Sequence, residues 1–253
     1  MRWPAVLLLS LLPALTPSTL WANECVVLLH GLGRSDASML VMAEVLTNAG
    51  YQVINEGYPS SEQPVAESVE QVGKSAAACG SVEKINFVTH SLGGILVRAW
   101  LRDHRPENLG RVVMLGPPNN GSEVVDELRN LSIYQYITGP AGQELGTGDA
   151  SIPKLLGPAD FEVGIIAGDR TIDPLMSSVF DGPNDGKVSV ESTKLDGMRD
   201  HIVLPTTHTF MMNNPLVIAQ TLSFLRDGRF DPSLTMGDVV KRAIGLEPAE
   251  KPQ

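Results

Sequence analysis

Short apolar runs alternate with amphipathic stretches along most of the chain. Residues 25–29 (Cys-Val-Val-Leu-Leu) are continuously apolar, as a strand buried on both faces of a parallel sheet must be. They stop at His30-Gly31-Leu32-Gly33-Arg34, where a turn is expected. Residues 38–49 place Met39, Leu40, Met42, Ala43, Val45 and Leu46 at helical spacing, and Gly50 ends the segment. The pattern predicts a second strand over 51–55, a helix over 64–78 with Pro64 in its first turn, and a third strand over 85–88. Helical periodicity resumes from Ile95 and ends near His104, before Pro106; 111–115 reads as the next buried strand.

The rhythm changes over 122–160. One helix-like segment carries Val124, Val125, Leu128, Leu131, Tyr134 and Ile137, a glycine-rich loop runs on to Pro158, and the whole reads as an excursion from the sheet. Strands return at 161–167 and 201–204, and a helix closes the domain at 215–225. Residues 236–244 carry a short amphipathic pattern, and 247–253 read as a solvated tail. Strands alternating with helices make α/β architecture with a parallel sheet the economical solution. With 253 residues, 43% of them hydrophobic, one domain over 23–227 and a partly flexible extension over 228–253 are expected.

Composition narrows the partners. The formal charge is -10, from 19 Lys+Arg against 29 Asp+Glu, so the basic footprint of a nucleic-acid or anionic-membrane binder is absent and neutral substrates fit better. Arg2, an apolar stretch over 5–20 and the small Ala22 read as a secretion signal over 1–22; Pro13 and Pro17 interrupt a run already short for a membrane span. An exported chain, periplasmic or secreted, meets oxidising conditions, and its two cysteines, Cys25 and Cys79, are expected to pair at the N-terminal ends of neighbouring strands.

The candidate chemistry centres on Thr89-His90-Ser91-Leu92-Gly93-Gly94, which puts a serine between a buried run and a helix, where a nucleophile elbow belongs. Glycines allow the tight approach there, although Thr89 stands where the usual pattern has glycine. A serine needs a base, and the base needs a carboxylate. His208 follows the last strand and is chosen over His201, which opens that strand at the opposite edge of the sheet. His30 is assigned to shaping its loop, His90 to local packing or hydrogen bonding, and His104 to a helix C-terminus. For the acid, Asp185 beside Gly186 is preferred, and Asp169 at a strand end is the alternative; Asp173 and Asp181 are read as loop charge. The N–H groups of Leu32 and Leu92 are placed to receive an oxyanion.

These motifs, with Pro117-Pro118-Asn119-Asn120-Gly121-Ser122 and Asn184-Asp185-Gly186-Lys187-Val188, occur in the order of the α/β-hydrolase fold, and the chain resembles its small secreted bacterial lipases and esterases. The resemblance implies carboxylic ester hydrolysis with Ser91, Asp185 and His208 as the triad, without a cofactor. It also implies a minimal sheet of about six strands, since one strand precedes His30 in the mature chain. Helices would cover both faces and 122–160 would form a small lid, with Leu131, Ile133, Tyr134, Tyr136 and Ile137 as an apolar wall of the pocket. Many secreted relatives hold a calcium ion near the catalytic histidine; Thr209-Phe210-Met211-Met212 offers no acid for one, so no metal is expected. The same triad would serve an acyltransferase or thioesterase, and a catalytically silent binding protein on this scaffold is the further alternative.

Overall fold

The computed structural model describes residues 23–172 and 177–246; the expected leader over 1–22, the tail over 247–253 and Asp173 lie outside the described residues. Six strands, β1 (Glu24–Leu29), β2 (Gln52–Asn55), β3 (Lys84–His90), β4 (Leu109–Leu115), β5 (Val163–Gly168) and β6 (Asp200–Leu204), form one sheet in the order β2-β1-β3-β4-β5-β6. Every pairing is parallel, as the continuous apolar runs require.

Alternate residues of each strand serve opposite cores. Cys25, Val27, Leu29, Phe87, Val112, Met114 and Ile165 pack with residues of helices Val65–Ala78 and Leu92–Asp103. Val26, Leu28, Val88, Val113, Leu115 and Ile166 pack with residues of helices Leu40–Asn48 and Pro215–Asp227. A polar residue breaks the run in β3. The buried Asn86 sits where the β3–β4 register slips between Ile85 and Phe87; its amide donates to Glu24 Oε2 at 3.0 Å and its oxygen accepts the Arg111 N–H at 2.7 Å. The side chain thus replaces the ladder bond that the bulge removes.

Residues 122–160 differ from the expected single helix and loop. Three helices form, Glu123–Leu128, Ser132–Gln143 and Ile152–Leu155. The middle one is broken at Gly139, with φ of 59°, next to Pro140, whose missing N–H cannot continue the ladder. A side chain at 139 would collide with the Ser61 carbonyl. The segment packs closely on the domain: Val125, Ala141 and Leu145 enter the core beneath it, and Glu144 accepts the Val65 N–H at 2.8 Å, capping a helix whose own N-cap, Pro64, has no side-chain acceptor.

Arg98, buried on helix Leu92–Asp103, fastens this segment from below. Its guanidinium donates to Asn119 O and Oδ1, to Pro153 O and to Gly157 O, at 2.7–3.2 Å. None of these acceptors carries a charge, and burial pulls the Arg98 pKa down to about 10. Among the described residues no helix is long and apolar enough to cross a membrane.

Cys25 and Cys79 are joined in a disulfide with Cα atoms 5.8 Å apart, tying the start of β1 to the end of helix Val65–Ala78. The bond closes a loop with a sequence separation of 54. Loops of that length are expected to lose about 4 kcal/mol of stability when opened, from restored chain entropy. Urea unfolding of the oxidised protein and of the Cys25→Ala/Cys79→Ala variant measures this; equal midpoints would show that the bond does not contribute.

Candidate active site

Ser91 follows β3 directly and opens helix Leu92–Asp103 with φ of 52° and ψ of -117°; among the described residues it is the non-glycine residue with positive φ. Such a backbone is strained for an L-residue and survives where its surroundings over-determine it. The Ser91 N–H donates to Leu115 O at 2.9 Å, anchoring the turn to the end of β4. Gly93 sets the other side: an added Cβ there would lie 2.5 Å from Leu29 O. Gly94 is less confined, with Pro117 Cβ at 3.1 Å from its added Cβ. Thr89 is fully buried, its hydroxyl without a hydrogen-bond partner, so the site accommodates it as a small packing residue.

His208 and Asp185 meet at the same edge of the sheet. His208 Nδ1 lies 2.7 Å from Asp185 Oδ2, both side chains almost completely buried. The other carboxylate oxygen, Oδ1, accepts the N–H groups of Lys187 at 3.0 Å and Val188 at 2.9 Å. Asn184 Oδ1 accepts the Gly186 N–H at 3.0 Å, and Gly186 takes φ of 95°, so an Asx turn presents the acid. The His208 main chain is held as well: its N–H donates to Asp185 O at 3.0 Å, and its carbonyl accepts from His90 Nε2 at 3.0 Å. Gly116, past β4, leaves room for the pair, since an added Cβ would stand 3.0 Å from Asp185 Oδ2 and 3.1 Å from His208 Nδ1. Asp169 pairs instead with Arg170, and Asp181 is exposed. His201 lies on β6 near its start and bonds Thr193 Oγ1 at 2.9 Å.

Ser91 and His208 line one cavity of about 320 Å³. No hydrogen bond joins Ser91 to His208 among the described residues; contacts of this kind tighten when substrate is bound. Leu32, Val124, Val125, Tyr134, Ile137 and Leu145 give the cavity an apolar wall. Tyr134 and Ile137 line this cavity and Leu131 does not: it is the N-cap of helix Ser132–Gln143, half exposed, because the segment breaks before it. Ile133 and Tyr136, 65% and 87% exposed, also point away. The N–H groups of Leu32 and Leu92 have no internal acceptor among the described residues. Among those residues no group of three or more His, Cys, Asp or Glu side chains is placed to hold a metal ion.

Two residues unnoticed in the sequence steady the loop that carries Leu32. Tyr58 stacks on His30 with ring centroids 4.0 Å apart, donates its hydroxyl to His30 O, and donates its N–H to His30 Nε2 at 3.2 Å. Ser60 Oγ accepts the Gly33 N–H at 3.0 Å. Both sit in a loop after β2 that shows no motif of its own, so only the neighbouring glycines hinted at a crowded turn.

Neither a protein-family model nor a curated protein matches the sequence. Solved structures do. The mature lipase BlEst2 of Bacillus licheniformis is 21% identical, with 81% of this chain and 92% of that one covered at a TM-score of 0.65. Lipase B of Aspergillus fumigatus is 18% identical, covering 86% and 56% of the two chains at 0.63. A lipase-esterase related protein of Clostridium acetobutylicum is 13% identical, covering 82% and 96% at 0.52. The fold is that of the α/β hydrolases.

Two buried histidines beside the site, His90 and His30, are shifted toward the neutral form. His90 donates its Nε2–H to a carbonyl, its Nδ1 has no partner, and burial followed by the nearby His208 and Arg34 charges pushes its pKa well below 6.5. Burial also lowers the pKa of His30. Below about pH 6.5 the unfolded chain takes up protons at both residues while the folded chain resists. Stability is therefore fully present above that pH and is lost as pH falls, by up to about 1.4 kcal/mol per histidine per pH unit. Urea midpoints compared at about pH 7.5 and about pH 5.5 test the sign; a midpoint that holds constant or rises on acidification contradicts it.

Proposed function

We propose that the protein is a serine hydrolase of carboxylic esters. The observation that carries this reading is the buried Asp185–His208 pair at 2.7 Å, opening on the cavity that also exposes Ser91 at a strained strand-to-helix turn. In this mechanism Ser91 Oγ attacks the ester carbonyl carbon and His208 Nε2 takes the hydroxyl proton. Asp185 keeps the imidazole in the Nδ1–H tautomer and stabilises it when charged. The tetrahedral oxyanion is received by the N–H groups of Leu32 and Leu92, one such donor being worth about 3 kcal/mol of barrier. Collapse passes the proton from His208 to the departing alcohol. Water, deprotonated by the same histidine, then cleaves the acyl-enzyme and restores Ser91.

The insertion over 122–160 acts as a cover over the acyl site, with Tyr134 and Ile137 against the substrate. The fold relatives named as lipases, lipase B and lipase-esterase support an ester as substrate, and the disulfide supports export to an oxidising compartment.

A fluorophosphonate probe should label Ser91 stoichiometrically in the folded protein, and p-nitrophenyl esters of graded chain length should be turned over. Ser91→Ala is expected to lose labelling and roughly ten-thousand-fold or more of kcat, and Asp185→Asn a similar factor through the wrong histidine tautomer. Equal rates in wild type and Ser91→Ala would remove the reading. A competing alcohol added to the assay separates hydrolysis from acyl transfer by its products.

A further inference from the structure

The catalytic cavity carries a charge opposite to that of the protein. Apart from His90 and His208, the described titratable side chains with full charge that line it are Arg34 and Lys187, and among the described residues no carboxylate lines it. Asp185 stands behind His208, with both oxygens already committed to His208, Lys187 N–H and Val188 N–H. The Arg34 guanidinium touches the Thr209 carbonyl at 3.3 Å and makes no ion pair among the described residues. Lys187 Nζ has neither a hydrogen bond nor an ion pair among them. Burial, followed by the nearby Arg34 charge and partly offset by Asp185, lowers the Lys187 pKa, so the two cations are near enough to feel one another.

In a chain with 29 acidic residues against 19 basic ones, these two share a cavity lining that holds no carboxylate among the described residues. Their positions along the chain tie them to the chemistry. Arg34 lies two residues beyond Leu32, whose N–H faces the oxyanion, and Lys187 lies two residues beyond Asp185, whose carboxylate holds the base. The distance from the cations to the reacting carbon is therefore set by two short stretches of backbone that are themselves pinned, by Ser60 on one side and by Ser122, whose hydroxyl donates to Lys187 O at 2.7 Å, on the other.

We propose that Arg34 and Lys187 form an anion subsite and that the preferred substrates are esters carrying a phosphate or carboxylate group within a few bonds of the scissile ester. The proposal rests on the reading of Ser91 as the acylated nucleophile, and it departs from the neutral substrate suggested by the overall charge. Arg34 offers a planar fork to two oxygens of the anion and Lys187 a point charge that swings to meet it. Both are specificity-determining rather than catalytic: they favour the ground state and transition state of the anionic ester alike, so the effect falls mainly on KM.

Two matched pairs of esters test this. 1-Butyrylglycerol 3-phosphate against 1-butyrylglycerol puts the anion on the alcohol, and mono-p-nitrophenyl glutarate against p-nitrophenyl butyrate puts it on the acyl chain. At low salt, kcat/KM for the anionic member of at least one pair should exceed its neutral partner about tenfold or more, the worth of one charge-assisted hydrogen bond. The ratio should fall toward one in Arg34→Gln/Lys187→Gln and with added salt, and be restored in part by Arg34→Lys/Lys187→Arg. The pair that responds identifies whether phosphate on the alcohol or carboxylate on the acyl chain is recognised. A variant that is merely damaged slows both members and leaves the ratio standing. A wild-type ratio at or below one in both pairs, or a preference that survives in the double Gln variant, overturns the proposal. If the variant does not fold, the wild-type ratio and its salt dependence still decide. Absence of Ser91-dependent turnover of all four esters would instead count against the hydrolase reading itself.

Discussion

The constraint on which the site depends is the contact between Gly93 and the carbonyl oxygen of Leu29, with 2.5 Å left for any atom placed at Cβ. It lets the first turn of helix Leu92–Asp103 sit against the end of β1, and the turn at Ser91 must then be tight enough to take a positive φ. Everything else at the site refers to this point. Ser91 N–H reaches across to β4, Leu92 N–H is left facing outward at a helix N-terminus, and the Leu32 loop, leaving β1 one residue beyond Leu29, is brought alongside. Side chains do little of this work; the placement of a reactive hydroxyl follows from how close two pieces of backbone are allowed to come.

The second half of the machinery is held differently, by hydrogen bonds rather than by steric fit. The long loop carrying Asp185 has no regular structure around the acid, yet it is fixed at Asn184, Asp185, Lys187 and Ser189, the last donating to Glu123 at 2.8 Å. Asn119 and Asn120 join the loop after β4 to the carbonyls of Ser192, Thr193 and Lys194, while Arg98 ties the same loop to the insertion. His90 completes the set from the elbow itself, holding the main chain of His208 from 118 residues away. Ser91 and His208 are therefore linked by a direct bond from the neighbour of one to the main chain of the other, which fixes their relative position.

Much of this was legible in the sequence because buried parallel strands announce themselves as short continuous apolar runs, and because a site at the strand ends is confined to the residues just past them. Ser91, Asp185 and His208 could each be selected by that positional logic, and the structure gathers Asp185 and His208 into one buried pair beside the cavity that Ser91 lines. The segment over 122–160 was not legible in the same way. Its apolar spacing from Val124 to Ile137 is continuous enough for one helix, but the break at Arg129-Asn130-Leu131 carries neither Gly nor Pro, so Leu131 was carried inward with its neighbours. Tyr58 and Ser60 act through single contacts to a distant loop and leave no periodic trace. Arg34 and Lys187 look like two surface charges among many until the fold puts them in one cavity lining with no carboxylate among its described residues.

The disulfide and Ser91 lie at opposite margins of the sheet, Cys25 near the start of β1 and Ser91 just past the end of β3. Cys25 secures the N-terminal end of β1, whose C-terminal end leads into the loop that carries Leu32, with the hydrogen-bonded length of the sheet between them. A covalent brace at one margin takes up the burden of durability, and the opposite margin keeps the freedom to change loops. Variation at the cavity residues Arg34, Tyr134, Ile137 and Lys187 can then accumulate without drawing on that bond.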